Sequence, residues 1–166
     1  MQVGMAWGMI AASGLAMGDA APPVVGEAQR ASLPALSVQG IARVAILCLV
    51  VDRSPDRLAL QARLCEQARR ISAERATVPV ATIGFGDPAL LARDTLGVLV
   101  HAAIDRRAGP AAMVLSVRPY RADATRGALF GATPVVARLD ARGLAPDAVL
   151  ADALDQILPW RMATAR

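Results

Sequence analysis

The stretch Ile41–Val51 (IARVAILCLVV) constrains the fold more than any other part of this chain. It is apolar almost without a break and contains several β-branched residues. A strand with one wet face would alternate apolar and polar residues, so this one is expected to be covered on both faces. Asp52-Arg53-Ser54-Pro55 then turns the chain. Ser54 is placed to cap a helix, and Pro55 suits the first helical position. The helix is expected to run to about Arg75, with Leu58, Ala62, Leu64, Cys65, Ala68 and Ile71 as its apolar stripe at 3.6-residue spacing.

Val78–Ile83 reads as a second strand and Thr95–Asp105 as a third. The third alternates cleanly, with Leu96, Val98, Val100, Ala102 and Ile104 on one face. Ala111–Arg121 is the fourth, where Met113, Leu115 and Val117 oppose Val114, Ser116, Arg118 and Tyr120. Asp105–Pro110 between them reads as a hairpin loop. Pairing Val100 with Leu115 brings the apolar residues together and sets His101 opposite Val114. Leu129–Leu139 is a fifth strand, interrupted at Pro134. Pro146–Leu158 is a closing helix with Leu150, Ala153, Leu154, Ile157 and Leu158 as its stripe and Pro159 as its stop. The order β-α-β-β-β-β-α predicts an α+β fold: a mixed, mainly antiparallel five-stranded sheet with two helices on one face. The other face, carrying Leu99, His101, Ser116, Arg118, Tyr120 and Arg138, is left for water or a partner.

Ahead of the domain, residues 1–29 hold no Lys or Arg, and Val3–Met17 is apolar or small apart from Ser13. With Gly18-Asp19-Ala20 and Pro22-Pro23 behind it, the segment 1–20 reads as a secretory signal peptide, cut after Gly18 or Ala20. Its n-region lacks the usual positive charge. The apolar run of about 15 residues is short for a membrane span, which needs about 20. No cysteine precedes Cys48, so no lipid-attachment site is expected. Residues 21–39 read as a Pro/Ala-rich linker, 40–160 as a single α+β domain and 161–166 as a tail. The expectation is a soluble periplasmic or secreted protein, not a lipoprotein, with no stable membrane span after cleavage. The alternative is a membrane-tethered protein with a retained N-terminal segment.

Composition excludes other classes. With 55% hydrophobic and 19% charged residues, the chain is not intrinsically disordered. All 18 basic residues are arginine, and the formal charge is +4. Aromatics make up 3%, too few for the stacking platforms that accompany nucleic-acid binding. Nucleic acid is therefore not expected as a partner, and Arg106, Arg107, Arg118, Arg121 and Arg126 read as a solvated surface written in GC-rich codons.

Few residues offer chemistry. Cys48 and Cys65 are the only thiols. A strand rise of about 13 Å from Cys48 to Asp52 and a helical descent of about 16 Å from Ser54 to Cys65 put both at a similar height. A helix lies about 10 Å from a sheet, whereas a disulfide needs Cα atoms within ~7 Å. A disulfide and two buried thiols both remain open. Without a C-x-x-C, any bond is expected to be structural. Gly84-Phe85-Gly86-Asp87-Pro88-Ala89 fits a loose G-x-G-x-x-A pattern, but only Leu90–Asp94 separates it from the next strand. A turn is expected there, not a dinucleotide site. His101 is the only histidine. Ser116, Tyr120 and Asp105 are its candidate catalytic partners, yet no G-x-S-x-G elbow exists. One His and two Cys do not make a standard zinc site, so no metal and no cofactor are expected.

The leader, proline linker, first strand, the helical Leu64-Cys65-Glu66-Gln67-Ala68-Arg69 and the hairpins together resemble small uncharacterised exported proteins of high-GC Gram-negative bacteria. That resemblance implies export and no particular activity. The element order is also similar to small α+β accessory domains of periplasmic and outer-membrane assembly proteins, a likeness that does not transfer function. The expected function is an exported, non-enzymatic binding or accessory domain for a protein or envelope component. Arg118, Tyr120 and Arg138 are its candidate binding residues. The alternative is a small exported hydrolase using His101 on the open face with Ser116 or Tyr120.

Overall fold

The apolar run forms β1 (Arg43–Val51) in a computed structural model that describes residues 40–107, 111–122 and 131–162. After it come α1 (Arg57–Ala73), β2 (Val80–Thr82), a 3-10 turn at Pro88–Leu91, β3 (Thr95–Asp105) and β4 (Ala112–Tyr120). The chain ends with β5 (Val135–Arg138), α2 (Asp147–Asp155) and α3 (Pro159–Met162). The sheet order is β2-β1-β3-β4-β5. The expected α+β class holds, with a five-stranded mixed sheet and two helices in its core. The pairings divide evenly: β2 and β3 run parallel to β1, while β3–β4 and β4–β5 are antiparallel. The expected readings of residues 1–20 and 21–39 lie outside the described residues, as do Arg126 and most of the Leu129–Leu139 start.

Burial on both sides of β1 follows from two crossovers. The step from β1 to β2 and the step from β2 to β3 move in opposite directions along the sheet. Crossovers of one hand then pass over opposite faces. Leu60, Leu64, Ala68 and Ile71 of α1 join Leu150, Ala153 and Leu154 of α2 against Val44, Ile46, Cys48, Val98, Val100 and Leu115. Residues 83–94 pass over the other face, where Leu90 lies against Gly97. There Ala45 and Leu47 are buried as well. The Gly84–Ala89 motif forms the expected turn. Gly86 takes a left-handed φ of +83°, and the Asp87 carboxylate accepts the Ala89 N–H at 2.9 Å to start the 3-10 turn.

Three expectations are corrected. First, the β3–β4 register is shifted by two residues. Val100 pairs with Val117 and His101 with Ser116, where Leu115 and Val114 were expected. A two-residue slip keeps every side chain on its face, so alternation cannot detect it. The expected register would also have paired Asp105 with Pro110, which has no N–H to give; in the structure Asp105 faces Ala112. Second, α1 starts after Asp56 rather than Ser54, with no side-chain cap, and its buried arc is rotated. Leu60, Leu64, Gln67, Ala68, Ile71 and Ser72 are buried, while Leu58 and Ala62 are exposed. The rotation reflects packing against α2: Gln67 Nε2 donates to the Ala145 carbonyl at 2.8 Å and to Asp147 Oδ1 at 2.7 Å.

Third, the closing helix ends at Asp155, before the expected stop at Pro159, which instead opens α3 over the C-terminal end of α1. Trp160 Nε1 donates to the Ser72 carbonyl at 3.1 Å, and Arg161 donates to the Ile71 carbonyl at 2.8 Å. Arg161 also pairs with Asp155 and Glu74. Arg161, the first residue of the expected tail, thus packs onto α1, because a cationic side chain satisfies carbonyls that a helix end leaves bare.

Candidate functional site

The face opposite the helices is built in rows, one residue from each strand. Val51, Ala103, Val114 and Val136 form one row across β1, β3, β4 and β5. Leu49, His101 and Ser116 form the next, followed by Leu47, Leu99 and Arg118, then Ala45, Gly97 and Tyr120. The last row is the covered end. A Cβ on Gly97 would meet Leu90 Cδ2 at 3.1 Å and Tyr120 Cβ at 3.5 Å, so glycine there lets the 83–94 connection and Tyr120 close over the strand. The first row is the open end. Val51 is 53% exposed, Val114 46% and Val136 74%.

Of the predicted site residues, the structure brings His101, Ser116, Arg118 and Tyr120 into neighbouring rows. His101 and Ser116 face each other directly, with Cα atoms ~4.5–5.5 Å apart as in any antiparallel pair. The expected register had kept them apart. Asp105 is not brought to them. It lies four residues along β3 from His101, roughly 13 Å away, and its carboxylate accepts the Arg107 N–H at 2.8 Å. Arg138 pairs with Ala112 at the open end, three rows from Arg118, so the three candidate binding residues do not form one cluster. Among the described residues no group of three or more His, Cys, Asp or Glu side chains is placed to hold a metal ion.

The arginines of the hairpin loop are partly committed. Arg106 Nη2 lies 2.9 Å from Asp52 Oδ2, and the Asp52 side chain is only 3% exposed. The Arg106 guanidinium, with help from the Ser54 N–H, holds the Asp52 carboxyl below its usual range against the opposing effect of burial. Asp147 is held low in the same way, by Gln67 first and then Arg70. Arg121 donates to the Arg93 carbonyl at 3.0 Å.

A second feature lies at the β2 edge. A cleft of about 310 Å³ opens between α1 and the turn after β2, with Leu58, Gln61, Cys65, Glu66, Ile83 and Phe85 in its walls. Cys48 and Cys65 meet there at disulfide distance, with Cα atoms 5.5 Å apart. Ala68, one turn on from Cys65, is fully buried against the sheet. Sequence reasoning missed the Val51–Val136 row and the Leu58–Phe85 rim. The row needs the register of three pairings. The rim follows from the rotation of α1.

No protein-family model matches the chain, and no curated protein matches it. Among solved structures the chain is similar to the PelC dodecamer from Paraburkholderia phytofirmans, over 72% of this chain and 89% of that one, at 12% identity and a TM-score of 0.40. It is also similar to a single-substitution variant of that dodecamer, over 73% and 88%, at 12% identity and a TM-score of 0.39. Likeness at this level carries no argument about function.

Proposed function

We propose that the chain is an exported, non-enzymatic binding or accessory domain of the cell envelope, related in kind to small exported proteins of high-GC Gram-negative bacteria. It engages a protein or envelope component through the open end of its sheet. The row Val51–Ala103–Val114–Val136 carries this reading. Single exposed apolar residues are ordinary, whereas a contiguous strip across four strands is suited to a partner surface. Export is supported by the signal-like segment 1–20 and by the cysteine pair, since disulfides persist in oxidising compartments. Among the described residues no helix is long and apolar enough to cross a membrane.

The test is capture from an envelope fraction by wild type, Val136→Asp and His101→Ala. Wild type and His101→Ala are expected to retain the same component, and Val136→Asp to lose it. Equal retention by Val136→Asp would remove the open end from consideration. The direct opposition of His101 and Ser116 favours one second reading, a small hydrolase with Ser116 as nucleophile and His101 as base. A fluorophosphonate probe would then label Ser116 in wild type but not in His101→Ala. Absence of labelling in wild type ends that reading.

A further inference from the structure

β2 pairs with Val44–Ile46 only, so among the described residues no strand covers that side of β1 from Leu47 onward. α1 fills part of the gap. Gln61 Oε1 accepts the Val50 N–H at 3.3 Å, and Cys65, one turn further, reaches Cys48. The rest of the gap is the cleft, rimmed by the exposed Leu58 and Phe85. The two cysteines differ in access. Both line the cleft, but Cys48 is 2% exposed, on a strand packed into the core, whereas Cys65 is half-buried on α1.

We infer that the cleft is a thiol-entry site, through which a small thiol reaches Cys65 and opens a Cys48–Cys65 disulfide while the domain stays folded. A thiolate attacks Cys65 Sγ. The new S–S bond to Cys65 forms as the Cys65–Cys48 bond breaks, and the electron pair leaves on Cys48 Sγ, which takes a proton from solvent. A second thiol then attacks the mixed disulfide, releasing the external disulfide and the Cys65 thiol. Two small thiols are oxidised and one protein disulfide is reduced. Attack falls on Cys65 because exchange depends on access to the sulfur. The same asymmetry makes opening reversible. Cys48 stays buried on β1 when the bond opens. It also stays beside Cys65, held by β1 and α1. The missing C-x-x-C thus excludes one redox motif without making the bond inert.

The experiment treats the full-length oxidised protein with dithiothreitol under native conditions, quenches in acid, and alkylates in denaturant for mass spectrometry. Circular dichroism is followed in parallel. Both cysteines are expected to become alkylated with the spectrum unchanged, at a rate that rises in proportion to dithiothreitol. A rate that levels off at the global unfolding rate overturns the inference, as do two free thiols before any reductant. Single variants test the asymmetry with the neutral probe dithiodipyridine. Cys65 in Cys48→Ser is expected to react about a hundredfold faster than Cys48 in Cys65→Ser, given the dependence of exchange on access. Equal rates in folded variants refute it. If a variant does not fold, the dithiothreitol dependence of wild type alone decides.

Discussion

On the helix side of the sheet, Ile46, Leu96, Val98, Val100, Met113 and Leu115 are all fully buried, and α1 and α2 lie across them. On the other side, β-branched residues of the same kind at Val51, Val114 and Val136 are exposed, and only the far end is roofed by the 83–94 connection. The strands are shared, so propensity does not separate the faces; cover does. Burial of apolar area is worth about 25 cal/mol per Å², so the helix side should hold most of the stability. The open end is then free to vary with whatever it contacts.

That contrast can be broken, beginning with the largest effect. Leu64→Ala, on the helix side, is expected to cost about 2–5 kcal/mol in urea unfolding, through lost burial plus a residual cavity. A loss below about 1 kcal/mol would mean that α1 is not the main cover. Replacing both cysteines by serine removes a cross-link spanning 17 residues. For a loop of that size the expected loss is about 3 kcal/mol. An unchanged urea midpoint would show that the link does not constrain the unfolded chain.

Acid should act next. Asp52 and Asp147 are both held below the ordinary carboxylate range, Asp52 chiefly by Arg106 and Asp147 chiefly by Gln67. A depressed folded pKa contributes stability that is full above the unfolded value of about 4 and is lost as pH falls through the folded value. The urea midpoint should therefore drop between about pH 5 and pH 3. In Asp52→Asn that drop should be shallower, and an identical acid limb would show that the Arg106 pair adds nothing. The smallest effect belongs to the open end. Val136→Thr keeps the β-branched shape and should stay within about 0.5 kcal/mol of wild type. A cost rivalling Leu64→Ala would show that the row is covered in the free protein.

Much of this architecture could be read from residue patterns. Alternation along Thr95–Asp105 and Ala112–Tyr120 placed each side chain on its correct face. The turn at Gly84–Ala89 followed from the shortness of Leu90–Asp94, which leaves no room for a crossover helix before the next strand. The register of β3 on β4 was not legible, since both registers bury Val98, Val100 and Ala102. With it went the pairing of His101 with Ser116, which a two-residue slip makes or breaks. The placement of Arg118 and Arg138 in separate rows depended on the same pairings.

The sequence alone determined where the five strands and the two longer helices lie, and which side of β3 and β4 is apolar, because those are local consequences of a period of 2 or 3.6. It also allowed Cys48 and Cys65 to stand at the same height without deciding whether they meet. Tertiary structure decided that β3 lies beside β1 on the side away from β2, that α1 turns Leu60 inward and Leu58 outward, and that the cysteines come together. Each of these depends on how two separate elements pack. Several arrangements satisfy the same local pattern, and only the fit of side chains between layers selects one.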